Sequence, residues 1–262
     1  MCLILFAWQA HPRYRLVLAA NRDEFHARPT RAAEFWTPQR QLLAGRDLQA
    51  GGTWLGVTRT GRFAAVTNYR EPLEPELPLE RSRGELVTEY LVGRDTPLAH
   101  AESLLARGDA FRGFNLLLGD AGGLAYVSNR FGRVLEPVAG SHGLSNHLLD
   151  TDWPKVRCGR AKLDGLLRRD CIEAEALLDM LTERNLVPGD MPDDADDSEI
   201  RRHLMNHYFI VSPTYGTRSS TVLLIGRDGN IEFVERRFAP DGTETGTSRF
   251  VLRENDRRIA RN

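Results

Sequence analysis

The second residue of the chain is a cysteine, at the head of the apolar run Cys-Leu-Ile-Leu-Phe-Ala-Trp that follows Met1. Methionine aminopeptidases remove the initiator residue when the next side chain is small, which would leave Cys2 carrying both a thiol and a free α-amino group. A free thiol titrates near about pH 8.5 and an α-amino group near about 7.7–8.0, so at neutral pH neither is far from its reactive form. A neighbouring arginine would favour the thiolate, and the amine can relay a proton to a leaving group. One residue would then be nucleophile and base. An amide or ester attacked by that sulfur develops an oxyanion, and losing one donor to such an oxyanion typically costs on the order of 3 kcal/mol of barrier.

Polar residues that a core would not select cluster where strands are expected to end: Asn21-Arg22-Asp23-Glu24, Thr67-Asn68-Tyr69, Ser145-Asn146 and Tyr215-Gly216-Thr217-Arg218. Strand ends combine rigid positioning with solvent access. In that setting Asn68 and Asn146 are candidate oxyanion donors, and Asp23 is suited to orient the ammonium or Arg22. Each has a plainer use. Cys2 could be a buried thiol, Arg22 to Glu24 an ion-pair cluster at a turn, and Asn68 and Asn146 turn residues; Arg218, two residues after Gly216, is open to the same reading. His203 and His207 stand four apart and would suit a metal or haem if helical, but no third ligand is spaced near them, so neither a metal nor a cofactor is expected. Cys158 and Cys171 are expected to pack on helix faces. Trp54 reads as a core residue, with Gly51 and Gly52 serving a tight turn.

The elements that must position these groups read as hairpins. Residues 2–8 and 14–20 form the first, apolar at odd and even positions alike, so both faces are covered. Residues 53–58 and 62–69 form a second with Gly61 in the turn. Residues 113–120 pair with 124–130, and 219–238 fold back across Asp228-Gly229-Asn230. Helical spacing is present in 83–93 and 97–108, each ending in glycine, in 152–169 with Asp152 as N-cap, and in 171–184. The acidic, proline-containing stretch from Asn185 to Ile200 reads as a surface loop. Hairpins interrupted by helices, without strand–helix alternation, predict an α+β fold of antiparallel sheets covered by helices. The chain is expected to form one domain over residues 1–262.

Composition narrows the partners. The net charge is -1, and the arginine-rich stretches are short and flanked by acids, so nucleic-acid binding is disfavoured. No window approaches the roughly 20 apolar residues of a membrane span, and the opening run lacks a basic leader and a cleavage site. Three cysteines without a CxxC pair suit a compartment where thiols stay reduced, so the expected location is cytoplasmic.

The strings LAANRDEFHARPT, GGTWLG, TNYR, RGELV, GFNLL, GLSNHLLDTDWPK and YGTRSSTVLL resemble the NRDE family, also called the transport and Golgi organisation protein 2 family, over nearly the whole chain. That resemblance implies a four-layer αββα sandwich of the N-terminal nucleophile hydrolase type. It also brings the association of eukaryotic relatives with Golgi organisation, haem trafficking and lipid or acyl-CoA handling. A looser likeness joins the chain to cysteine N-terminal nucleophile hydrolases such as bile salt hydrolases and penicillin V acylases. Their pattern falls on Cys2, Arg22 with Asp23, Asn68, Asn146 and Arg218. One departure stands out: those enzymes separate the arginine from the aspartate by two residues. Adjacent strand residues face opposite sides, so either the chain turns at Arg22 or only Asp23 reaches the site.

Two functions follow as expectations. The first is a cofactor-independent amidohydrolase, cleaving an acyl amide or related acyl bond other than a peptide bond through a Cys2 thioester. The second is a non-enzymatic carrier or chaperone for haem, acyl-CoA or a lipid-like ligand.

Overall fold

The computed structural model describes residues 2–37, 39–71, 81–184 and 206–253. Strands β1 (Cys2–Trp8) and β2 (Tyr14–Phe25) form the expected hairpin, in a register that runs from Trp8 opposite Leu16 to Cys2 opposite Arg22. Side chains alternate across a strand. Ile4, Phe6, Trp8, Leu16, Leu18 and Ala20 therefore join one buried cluster, while Leu3, Leu5, Ala7, Val17 and Ala19 join another. This explains why both runs are apolar throughout.

The remaining strands complete two antiparallel sheets. They are β3 (Thr30–Phe35), β4 (Leu42–Asp47), β5 (Leu55–Thr58), β6 (Phe63–Asn68), β7 (Phe114–Gly119), β8 (Leu124–Ser128), β9 (Val134–Leu135), β10 (Gly140–Leu144), β11 (Tyr215–Gly226), β12 (Ile231–Phe238) and β13 (Glu244–Leu252). One sheet has the order β10-β1-β2-β11-β12-β13 and the other the order β3-β4-β5-β6-β7-β8-β9. Between them lies the first cluster, where Phe6 and Leu18 meet Phe63 and Leu117.

Helices α3 (Pro154–Leu167) and α4 (Ala174–Leu181) cover the outer face of the first sheet through Val156, Leu163, Leu177 and Leu178. Helices α1 (Arg83–Val92) and α2 (Pro97–Leu105) cover the second through Leu86, Val87, Ala101 and Leu104. The result is the expected four-layer αββα sandwich. A fully buried leucine in such a layer contributes about 2 kcal/mol, and three clusters share that burial. Helix α3 lies close on β1 because Gly159 has no side chain; a Cβ there would stand 2.6 Å from Leu5.

Two expectations for this layer are corrected. Trp153 occupies the N-cap of α3 and makes no side-chain cap bond, since Asp152 instead pairs with Arg157 at 2.9 Å. Cys171 precedes α4 and is exposed, while Cys158 packs against the second cluster from α3.

Candidate active site

Cys2 opens β1 on its inter-sheet side and remains partly exposed. It borders a cleft of about 860 Å³ at one end of the sandwich, whose walls come from both sheets and the start of α1. Its backbone is held on both sides of the peptide plane. Ser145 Oγ donates to the Cys2 carbonyl at 2.8 Å, and the Cys2 nitrogen donates to Asn146 Oδ1 at 3.2 Å.

That second bond fixes which way the Asn146 amide points. Asn146 Nδ2 then donates to the Asn68 carbonyl at 2.9 Å and to Asn68 Oδ1 at 3.0 Å. Asn68 Nδ2 is left with no partner among the described residues, on a side chain that lines the cleft. The two asparagines thus differ: Asn68 keeps an amide donor unengaged by the described residues, and Asn146 fixes the Asn68 side chain. The segment after β10 is itself clamped by Asn115, which is fully buried: its Nδ2 donates to Thr67 Oγ1 at 3.1 Å and to the His147 carbonyl at 3.0 Å, and its Oδ1 accepts from Tyr126 at 2.7 Å.

Arg22 and Asp23 do face opposite sides of the sheet, yet both border Cys2 because Cys2 stands at the very end of its strand. Arg22 points between the sheets. Its Nη1 donates to Thr30 Oγ1 at 3.1 Å, its guanidinium lies 4.2 Å over the Trp54 ring, and Asp47 is 3.9 Å away. Asp23 points toward the helical layer, where Thr217 donates to its Oδ1 at 2.7 Å. A β-bulge makes that contact possible. β11 pairs Ser219 with Arg22 and Thr217 with Asp23, so Arg218 is an extra residue and the alternation resets.

The bulge also decides the place of Arg218. Its Nη1 donates to the carbonyls of Phe25 at 2.9 Å, His26 at 3.2 Å and Arg28 at 3.1 Å, away from the Cys2 cleft. The structure brings Cys2, Arg22, Asp23, Asn68 and Asn146 together and leaves Arg218 to tie down the turn after β2.

Burial governs the electrostatics. It pushes the Cys2 thiol up, with the Asp23 charge adding to the rise, against the amino-terminal charge, the Asp23 backbone N–H and the Arg22 guanidinium, which favour thiolate. It pushes the Asp23 carboxyl up as well, opposed by Lys155, the Thr217 hydroxyl and Arg22. Lys155, fully buried on α3, is pushed down by the same loss of solvent and held up by Asp23 and Cys2. Burial thus favours the neutral form of all three groups, while the charges of Lys155 and Asp23 oppose it in one another.

The family model for Transport and Golgi organisation 2 matches residues 1–240. This chain belongs to that family. It is 38% identical to the Transport and Golgi organization protein 2 homolog of Bos taurus, with 96% of this chain and 99% of that one aligned. The Homo sapiens homolog is 36% identical over the same shares, and the Transport and Golgi organization protein 2 of Drosophila melanogaster is 26% identical over 90% of this chain and 91% of its own. Among solved structures, a Caenorhabditis elegans N-acylethanolamine-hydrolyzing acid amidase ortholog is similar with a TM-score of 0.49 and 11% identity, covering 85% of this chain and 92% of that one.

Three residues of the candidate site escape a reading by residue type. Lys155 ends the DWPK string and was hidden inside a helix start. Arg83 opens α1 in RGELV, where it reads as a first-turn residue, and Arg112 stands in the turn before β7; both line the cleft. Trp54 packs on the core as expected and also walls the cleft. Of the histidine pair, His203 lies outside the described residues and His207 is buried. The described residues contain no group of three or more His, Cys, Asp or Glu able to hold a metal ion. No helix among them is long and apolar enough to cross a membrane.

Proposed function

We propose that this chain is an N-terminal-cysteine amidohydrolase acting on an acyl amide or a related acyl bond. The carrying observation is the chain of bonds from the Cys2 nitrogen through Asn146 to Asn68, which leaves one amide donor unengaged by the described residues on a side chain that lines the same cleft as Cys2. With Met1 removed, the same nitrogen is an α-amine whose acceptor is already in place. Sγ attacks the acyl carbon while its proton passes to the amine, and Asn68 Nδ2 receives the oxyanion. Collapse breaks the C–N bond, the departing amine takes the proton, and a thioester remains. Water then attacks the thioester, the α-amine accepting its proton, and the acid leaves with the thiol restored. Asp23 and Lys155 hold the amine's surroundings in charge balance. The setting this reading requires is a reducing one such as the cytosol, in keeping with three unpaired cysteines.

A second reading, a carrier for haem, acyl-CoA or another lipid-like ligand, draws on the rim of the cleft. Phe25 is 59% exposed there and packs edge-on against Tyr215 at 5.2 Å, an apolar lip suited to a hydrocarbon chain.

One experiment separates them. Purified protein is incubated with a panel of acyl amides and acyl thioesters and followed by intact mass. A mass increase on des-Met1 protein that maps to Cys2 and vanishes in Cys2→Ala supports the enzyme. Ligand binding that survives Cys2→Ala, with no adduct formed, supports the carrier.

A further inference from the structure

Three polar side chains stand in the apolar layer between the sheets. Thr67 and Asn115 are paired across β6 and β7, on the face that Ala65 and Leu117 turn to the inter-sheet cluster, and Tyr126 of β8 belongs to that cluster. All three are buried, at 1% exposure or less. A polar group in such a layer carries a desolvation cost unless its bonds are made. Here they are made, and in one order. The His147 carbonyl can only accept, so the Asn115 atom that faces it at 3.0 Å is Nδ2, which also donates to Thr67 Oγ1 at 3.1 Å. Asn115 Oδ1 then accepts from the Tyr126 hydroxyl at 2.7 Å. Thr67 Oγ1, already an acceptor, donates to the Ser145 carbonyl at 2.5 Å, and the Tyr126 oxygen, already a donor, accepts from the Leu149 nitrogen at 3.3 Å.

The outer ends of these bonds all land on one short segment, residues 145–149, which carries Asn146. Its holds are the Ser145 and His147 carbonyls and the Leu149 nitrogen, and the Arg70 nitrogen adds another by donating to the Asn146 carbonyl at 2.8 Å. The segment follows β10 of the first sheet, whereas Thr67, Asn115 and Tyr126 belong to the second. The site is divided in the same way. Cys2 opens β1 of the first sheet, Asn68 ends β6 of the second, and the Asn146 amide bonds to both. None of the three buried residues lines the cleft. Filling the layer needs no polar atoms; fixing the backbone on either side of Asn146 does.

We propose that Asn115 and Thr67 are positioning residues of this site: through the Ser145 and His147 carbonyls they hold the Asn146 amide where it joins the Cys2 nitrogen to Asn68. Under the hydrolase reading, on which the kinetic part of this inference rests, they govern acylation of Cys2 without touching substrate. The hold on Asn146 itself stands under either reading.

Three variants of the full chain test this. Thr67→Val removes the hydroxyl at nearly constant shape, Thr67→Ser keeps it, and Asn115→Leu removes the whole amide. The first readout is heteronuclear NMR of the Asn146 side-chain amide, assigned by its disappearance in Asn146→Asp. Its hydrogen exchange should quicken on the order of tenfold or more in Thr67→Val and Asn115→Leu and stay near the wild-type rate in Thr67→Ser. The second is Cys2 acylation by the panel of acyl amides and acyl thioesters, followed by intact mass. It should slow about 10²-fold in Thr67→Val, as for a reacting group displaced by about 1 Å, and stay within a few-fold in Thr67→Ser. Circular dichroism checks that each variant folds; should Asn115→Leu fail, the Thr67 pair decides. An Asn146 amide unchanged in Thr67→Val overturns the proposal, as does acylation at the wild-type rate in a variant whose amide has come loose. Equal losses in Thr67→Val and Thr67→Ser overturn it too, since they assign the effect to packing. Wild-type protein that forms no adduct at Cys2 removes the hydrolase, and the amide spectrum alone then decides the hold on Asn146.

Discussion

Asn146 grips Asn68 at two points, its Nδ2 donating to the backbone carbonyl and to Oδ1 of the same residue. In the proposed hydrolase the grip would make Asn146 a positioning residue, and its two bonds can be tested apart. Asn146→Asp keeps an acceptor for the Cys2 nitrogen but cannot donate to Asn68. The rate of Cys2 acylation should then fall about 10²–10³-fold, as on loss of an oxyanion donor, while alkylation by a small neutral reagent stays within a few-fold. Stopped-flow acylation beside iodoacetamide labelling checks this; an equal fall in both would make the residue merely structural.

Lys155 helps hold the Asp23 carboxyl down against burial. Removing the cation in Lys155→Met raises the Asp23 pKa, so a higher pH is needed to ionise it. The acid limb of the pH profile for acylation should therefore move to higher pH. A limb that stays in place would detach Asp23 from the step that limits acylation.

His142 and Asp150 brace β10 against the turn before α3. His142 Nδ1 lies 2.7 Å from Asp150 Oδ2, and the Gly143 nitrogen donates to Oδ1 at 2.9 Å. Asp150 raises the His142 pKa above 6.5, so that part of the stability is complete below pH 6.5 and lost as pH rises through the raised value. Burial works against the Asp150 charge, but His142 and the Gly143 N–H hold its pKa below 3.8, so its share is lost only as pH falls through that lower value. Asp150→Asn should cost about 1–3 kcal/mol between roughly pH 4 and 6.5, and less above that window. Urea unfolding at a series of pH values measures it; a pH-independent difference contradicts the linkage.

Gly52→Ala places a Cβ against backbone that cannot swing aside. It should lower stability by about 1–3 kcal/mol through forced separation of α1 from the β4–β5 connection. Thermal unfolding followed by circular dichroism reads the effect; an unchanged midpoint contradicts it.

The β1–β2 hairpin and the αββα layering were readable because both faces of those strands are apolar and the helices carry three-four spacing. Strands β3, β4, β9, β10 and β13 escaped. Gly140-Ser141-His142-Gly143-Leu144 has no apolar alternation, and β13 is a half-exposed edge strand. The site was legible as a set of polar strand ends, including the adjacent Arg22 and Asp23, whose opposite orientations pose no obstacle at the end of a sheet. Arg218 was misplaced because a one-residue bulge leaves no mark in residue type. Arg83 and Lys155 stayed hidden for another reason. A helix start and a helix face look alike whether they meet solvent or a buried sulfur.

The strand that bears Cys2 is flanked on one side by β2 and on the other by β10, whose residues are 140–144. During synthesis, then, the amino end has a partner early on one flank and waits for more than half of the polypeptide to be made before the other arrives. The removal of Met1 that the proposed mechanism requires would have its freest access in that interval, on a schedule set by the ribosome.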